Sequence, residues 1–185
     1  MSSVGNIYIV LSRPDSFVST LISFFTRAEY SHISIAYDRE LRSLCSFARK
    51  YRLPLPGGLV AENENGVPRK ALRNAKCVIL SASVPESRFA AFRSRIDTML
   101  LHRDAYHYSL RGLFFCCLGM ETHCDHHYFC SEFVAEMLRY AGVRGIPKPP
   151  SLMKPLDFLK IPGLDRVYSG VLCKYLSRVS EEARP

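Results

Sequence analysis

Hydrophobic and polar residues alternate strictly over residues 30–37, from Tyr30 through Ser31, His32, Ile33, Ser34, Ile35 and Ala36 to Tyr37. A period of two predicts a strand, with Ile33 and Ile35 on one face and His32, Ser34 and Ala36 on the other. Short apolar runs predict further strands over residues 6–12, 43–48, 59–62 and 76–84, with loops at 63–66 and 120–127. Residues 166–168 and 171–176, around Ser169 and Gly170, predict a closing β-hairpin. Helical spacing predicts a helix from Asp15 or Ser16 to Arg27, with Phe17, Val18, Leu21, Ile22, Phe24 and Phe25 on one broad face. A second should run from Pro85, at the first helical position after a Ser83 cap, to Leu101. Residues 110–118 predict a short buried helix carrying Cys116 and Cys117, residues 154–159 another short helix, and residues 181–185 a frayed tail. Strands interleaved with helices in this way indicate an α+β fold.

The most informative helix starts at Cys130. Phe133, Val134, Met137, Leu138 and Ala141 follow helical spacing, and Gly142 stands where a left-handed cap would end the helix. A thiol in the first turn faces unpaired N–H groups and the positive end of the helix dipole, and both favour the thiolate, the reactive form of cysteine. The competing expectation is that Cys130 is a small buried apolar residue. A strand histidine, His32, tips the balance. An imidazole that takes the thiol proton lets the thiolate attack a carbonyl carbon, and the imidazolium then protonates the leaving group. Histidine precedes cysteine here, which the chemistry allows because such sites depend on geometry and not on chain order.

Composition narrows the choices. A chain of 185 residues makes one domain, 1–185, with a sizeable core, and 48% hydrophobic with 23% charged residues makes it globular. The net charge of +8 suits an anionic substrate, peripheral contact with an anionic surface, or nucleic acid. The basic residues are scattered and no nucleic-acid reader motif accompanies them, so nucleic acid is not an expected partner. The N-terminus has no basic stretch followed by a long apolar one, and apolar runs such as residues 113–118 are too short to span a bilayer. Seven cysteines without a framework spacing fit a reducing compartment, so a cytoplasmic protein is expected.

Metal binding is the rival chemistry. His123, Cys124, Asp125, His126, His127 and Cys130 are all ligand types. No Cys-x-x-Cys pair or second cluster completes a site, and adjacent side chains seldom converge on one ion. A polar loop beside the active site is therefore expected, with no metal and no cofactor.

Together these motifs resemble a known group. The stretch Tyr128-Phe129-Cys130-Ser131-Glu132-Phe133-Val134 resembles the nucleophile motif of NlpC-type cysteine peptidases, and residues 30–36 resemble their histidine strand. The order of the two resembles the circularly permuted branch, which includes YiiX-like bacterial proteins and lecithin:retinol acyltransferase-like enzymes. The resemblance covers residues 6–175. It implies a papain-like fold with an antiparallel sheet packed against the nucleophile helix, and hydrolase or acyltransferase chemistry in a bacterial protein. In that superfamily a polar residue on the strand after the histidine strand orients the imidazole. Ser46 falls at that place but brings no charge; Glu62, one strand further, has the charge and is slightly favoured, and the choice stays open. Tyr106 or Tyr108 is expected to offer a hydroxyl to the oxyanion, alongside the backbone N–H of Cys130.

The expected function is that of a cysteine peptidase or amidase-type hydrolase, acting through an acyl-enzyme on a peptide-like or acylated small molecule. A lipid or acyl-amide hydrolase or acyltransferase, and a catalytically weak binding module of the same fold, are the alternatives. Loops 49–58 and 103–127 should wall the substrate groove; their aromatic and basic content suggests an apolar substrate group bearing negative charge.

Overall fold

The computed structural model describes residues 3–13, 29–48, 57–64, 67–68 and 70–183. The helix expected over 15–27, and most of the loop expected to wall the groove at 49–58, lie outside the described residues. In chain order the elements are β1 (Val4–Arg13), β2 (His32–Ala36), β3 (Cys45–Ala48), β4 (Gly58–Ala61), β5 (Asn63–Glu64), β6 (Val67–Pro68), α1 (Lys70–Arg73) and β7 (Lys76–Pro85). Then follow α2 (Glu86–Leu101), β8 (His107–Tyr108), α3 (Leu110–Cys117), β9 (His127–Tyr128), α4 (Cys130–Tyr140), β10 (Asp165–Val171) and α5 (Leu172–Glu182), with 3-10 turns at Pro150–Leu152 and Pro155–Lys160.

The class is α+β. An eight-stranded mixed sheet runs in the order β10-β7-β1-β2-β3-β4-β8-β9, antiparallel throughout except for the parallel β8–β9 pair. The long β1–β7 ladder, from Val4 opposite Pro85 to Arg13 opposite Lys76, is its spine. Strand alternation sends side chains to two cores. Ile7, Ile9 and Leu11 of β1 and Ile33 and Ile35 of β2 pack with Phe92 and Ile96 of α2 and with Phe133, Val134, Met137 and Leu138 of α4. The alternate positions Val10, Ala36 and Ile79 join Leu172, Tyr175 and Val179 of α5. Phe47 links the sheet to α4, its ring 5.0 Å from that of Phe133 and 5.2 Å from that of Tyr128. Cys130 through Ala135, Met137 and Leu138 are all buried, so most of α4 is enclosed, with Arg139 and Tyr140 exposed at its end.

Several expectations need correction. The closing hairpin is one strand and a helix: β10 continues through Ser169 and Gly170 along β7, bulging between Arg166 and Tyr168, and α5 follows. Leu172, Tyr175, Leu176 and Val179 repeat at helical spacing, a signal outweighed in the sequence by the Ser-Gly pair. Residues 181–182, expected in a frayed tail, end α5. Pro85 pairs with Val4 and stands just outside α2, so Glu86 and not Pro85 opens that helix, and no side chain caps it. Residues 63–66 are not all loop, since Asn63 and Glu64 pair with Pro68 and Val67. Finally, α3 is not buried: Leu110 and Phe114 are 55% and 61% exposed. Among the described residues no helix is long and apolar enough to cross a membrane.

Because Phe133 is fully buried between sheet and helix, Phe133→Ala should cost about 3–5 kcal/mol of stability in urea unfolding. Val167→Ala, on the exposed edge strand, should stay within about 0.5 kcal/mol.

Candidate active site

The start of α4 is pinned on three sides. Phe129 is extended and fully buried, and Glu132 reaches back so that its carboxyl accepts the Phe129 N–H at 3.4 Å, one half of a capping box. The Ser131 hydroxyl donates to the Met153 carbonyl at 2.7 Å, tying the helix to the segment that follows it. At the other end Gly142 takes φ +84°, and the N–H groups of Gly142 and Val143 close on the carbonyls of Arg139 and Leu138. That is the left-handed cap the sequence predicts. Cys130, 6% exposed, is thereby fixed as the first residue of the helix.

His32 is the first residue of β2, so the starts of a strand and a helix meet here. Its Nε2 lies 2.9 Å from Glu62 Oε1 and 3.2 Å from Ser34 Oγ, and the Cys130 side chain is near enough to the ring to raise its pKa. Sheet register explains the arrangement. Ile35 stands opposite Cys45, so one residue along Ser34 faces Ser46; Ser46 stands opposite Val60, and Glu62 is two residues on, on the same face. Ser46 accordingly donates to Glu62 Oε1 at 2.5 Å, while the Glu62 N–H bonds the Leu44 carbonyl at 2.7 Å.

The two candidates for the ring partner therefore take different places. Glu62, 5% exposed, touches the imidazole; Ser46, fully buried, touches Glu62 and holds it. Burial pulls the imidazole toward its neutral form, but hydrogen bonds to Cys130 and Glu62 and the Glu62 charge outweigh it and raise the His32 pKa to about 10. An imidazolium beside the sulfur is the form that this surrounding favours.

A cavity of about 230 Å³ opens at Cys130. Its walls are mostly apolar, from Tyr30, Tyr108, Leu113, Cys116, Met153 and Leu156, with Lys154 and Lys160 also on the lining. Of the two tyrosines singled out in the sequence, Tyr108 lines this cavity. Tyr106 instead packs against Phe47 and His126, with ring centroids 6.4 and 5.1 Å away, and its carbonyl lies 2.5 Å from where a Cβ on Gly58 would sit. Ser31 was not singled out, yet it lines the cavity and its buried hydroxyl has no hydrogen-bond partner among the described residues. Ser34 and Glu132 were also missed, although the strand alternation and the three-residue step from Phe129 to Glu132 carry the signal for each.

The histidine-rich loop folds on itself. His123 pairs with Asp125 at 3.0 Å, and the His127 ring contacts the Asp125 carbonyl at 2.9 Å and the Cys124 sulfur at 3.5 Å. Among the described residues no three such side chains are grouped to hold a metal ion, and all seven cysteines are free thiols. No family model matches this chain, and no curated protein matches it in sequence.

Burial raises the Glu132 carboxyl from 4.5 to about 7, against the opposing hydrogen bond from Phe129. The folded protein thus holds this proton more tightly than the unfolded chain, so the associated stability is present in full below pH 4.5 and is lost as pH rises through about 7. Glu132→Gln should flatten that part of the decline in denaturation midpoint across the same interval, leaving the variant relatively more stable above it.

Proposed function

We propose that the chain is a permuted papain-like cysteine hydrolase that cleaves an amide bond through an acyl-enzyme on Cys130. The observation that carries this reading is the connected set Cys130–His32–Glu62–Ser46, with the sulfur at a helix start and an apolar cavity in front of it. Structural ion pairs also bury histidine beside glutamate, but they do not require a thiol at the open end of the pair.

The steps follow from the contacts. Cys130 gives its proton to His32, and the thiolate attacks the carbonyl carbon while the oxygen takes the negative charge. The Cys130 N–H, one of the unpaired groups of the first turn, is a donor for that oxyanion, and the Ser31 hydroxyl is a second donor within the cavity. The His32 imidazolium protonates the departing amine, leaving a thioester. His32 then takes a proton from water, which attacks the thioester, and the acid leaves as the thiol is restored. Glu62 holds the ring in place and stabilises its charge; Ser46 holds Glu62.

The cavity bears on the substrate. It is smaller than the roughly 300 Å³ at which drug-sized sites begin, so it suits one compact apolar group on the acyl side. That lining favours, as a second reading, a lipid or acyl-amide substrate on the same dyad.

Iodoacetamide labelling read by mass spectrometry tests the dyad. Cys130 should be alkylated fastest of the seven thiols near about pH 6, and His32→Ala should abolish that advantage. Labelling no faster than at exposed Cys117, unchanged by the mutation, would point to a structural cysteine in a binding module. On N-acyl anilides, His32→Ala should lower kcat/KM by about 10²–10⁴-fold. The pH profile carries a sign: His32 keeps its proton below about pH 10, so the acid-catalysed step should fail as pH rises through that value. Glu62→Gln, which removes a raising influence, should move this limb to lower pH.

A further inference from the structure

Leu110, Phe114 and Leu118 follow one another at four-residue steps along α3 and its cap, and they are 55%, 61% and 58% exposed. Met120, two residues past the cap, is 52% exposed. Isolated surface leucines are ordinary, but a line of large apolar side chains on one short helix marks a surface with a function. The opposite side of α3 is inward, with Gly112 and Cys116 buried, and Leu113 and Cys117, between the two sides, line the cavity at Cys130. A single helix thus separates the site from an apolar outer face.

Cations rim this face. Arg111 lies on α3 itself, stacked 5.5 Å from the Phe115 ring. Lys154 and Lys160 stand on the cavity lining with Leu113 and Cys117, and neither has an ion-pair partner among the described residues. Asp157, a buried carboxylate on the same lining, is already paired with Lys148 at 2.8 Å. An apolar ridge bordered by unpaired cations matches the two terms of interfacial binding, apolar burial below the headgroups and attraction to anionic lipid. The overall charge of +8 acts in the same direction. A protein partner would need an acidic rim of its own; the bilayer supplies both features at once.

We propose that the α3 ridge of Leu110, Phe114 and Leu118, with Arg111, Lys154 and Lys160, docks the protein on an anionic lipid bilayer with the Cys130 cavity beside the headgroups. This surface is independent of the proposed chemistry. It would let an acylated substrate pass from the bilayer into the cavity without crossing water.

Vesicle co-sedimentation tests it, using Cys130→Ala protein so that turnover plays no part and an inactive dyad leaves the result intact. The probes are vesicles of phosphatidylcholine alone and of phosphatidylcholine mixed with phosphatidylglycerol. Sedimentation should require phosphatidylglycerol and weaken as salt is raised. A Phe114→Ser, Leu118→Ser double variant should lose roughly tenfold or more in binding. Lys154→Gln with Lys160→Gln should lose a similar amount, with circular dichroism showing both variants folded. The second pair keeps the test decisive if the first misfolds. Failure of the parent to sediment with either vesicle, or sedimentation unchanged in both variants, overturns the proposal. So does light scattering that finds a dimer which the Phe114 and Leu118 changes split, since the ridge would then belong to a second copy of the chain.

Discussion

A carboxylate withdrawn from water must be held by hydrogen bonds, and much of the site depends on how Glu62 is held. Stripped of partners, a buried charge costs several kcal/mol. The same Glu62 oxygen, Oε1, meets the His32 ring and accepts from the Ser46 hydroxyl, while the Glu62 backbone is tied to Leu44. Those groups come from three successive strands, β2, β3 and the end of β4. A shift of any of these strands by one residue would turn its polar side chain to the opposite face and leave the charge exposed to apolar core. The sheet register and the ring orientation are therefore one constraint.

The Cys130 helix answers to a different constraint. Because most of α4 is enclosed, its position is set by packing, above all by Phe133 against Phe47, and its start is set by polar ties from Glu132 and Ser131. The Ser131 bond to Met153 is what joins the two halves of the cavity, since Met153, Leu156 and Lys154 form one wall and α3 the other. Helix start, strand start and return segment thus share one small volume.

The local features of this arrangement were legible in the sequence. The alternation around His32, the apolar spacing after Cys130 and the Gly142 cap each repeat a short physical period, and each forms where expected. Long-range choices were not legible. Whether Glu62 or Ser46 meets the imidazole depends on the register between β3 and β4, which pattern alone leaves undetermined. The α5 helix was hidden because Ser169 and Gly170, strong turn residues, sit within β10. The outer face of α3 reads as core in a sequence, because leucine and phenylalanine carry no mark of which way they point. The cavity was invisible for a similar reason, being built from segments at residues 30–31, 108–117, 129–131 and 153–160 that sequence patterning does not join.

The parallel pairing of β8 with β9 has a consequence for change over time. Between them the chain leaves the sheet at Tyr108, forms α3 and the histidine-rich loop, and returns at His127 alongside its point of departure. The His107 N–H bonds the His126 carbonyl and the Ser109 N–H bonds the Tyr128 carbonyl, so entry and exit are clamped together. An excursion with clamped ends behaves as a cassette. Its length and sequence can be exchanged while strand register, the Cys130 helix and the imidazole stay where they are, which gives descendants of this fold a way to reshape one wall of the cavity without disturbing the side chains behind it.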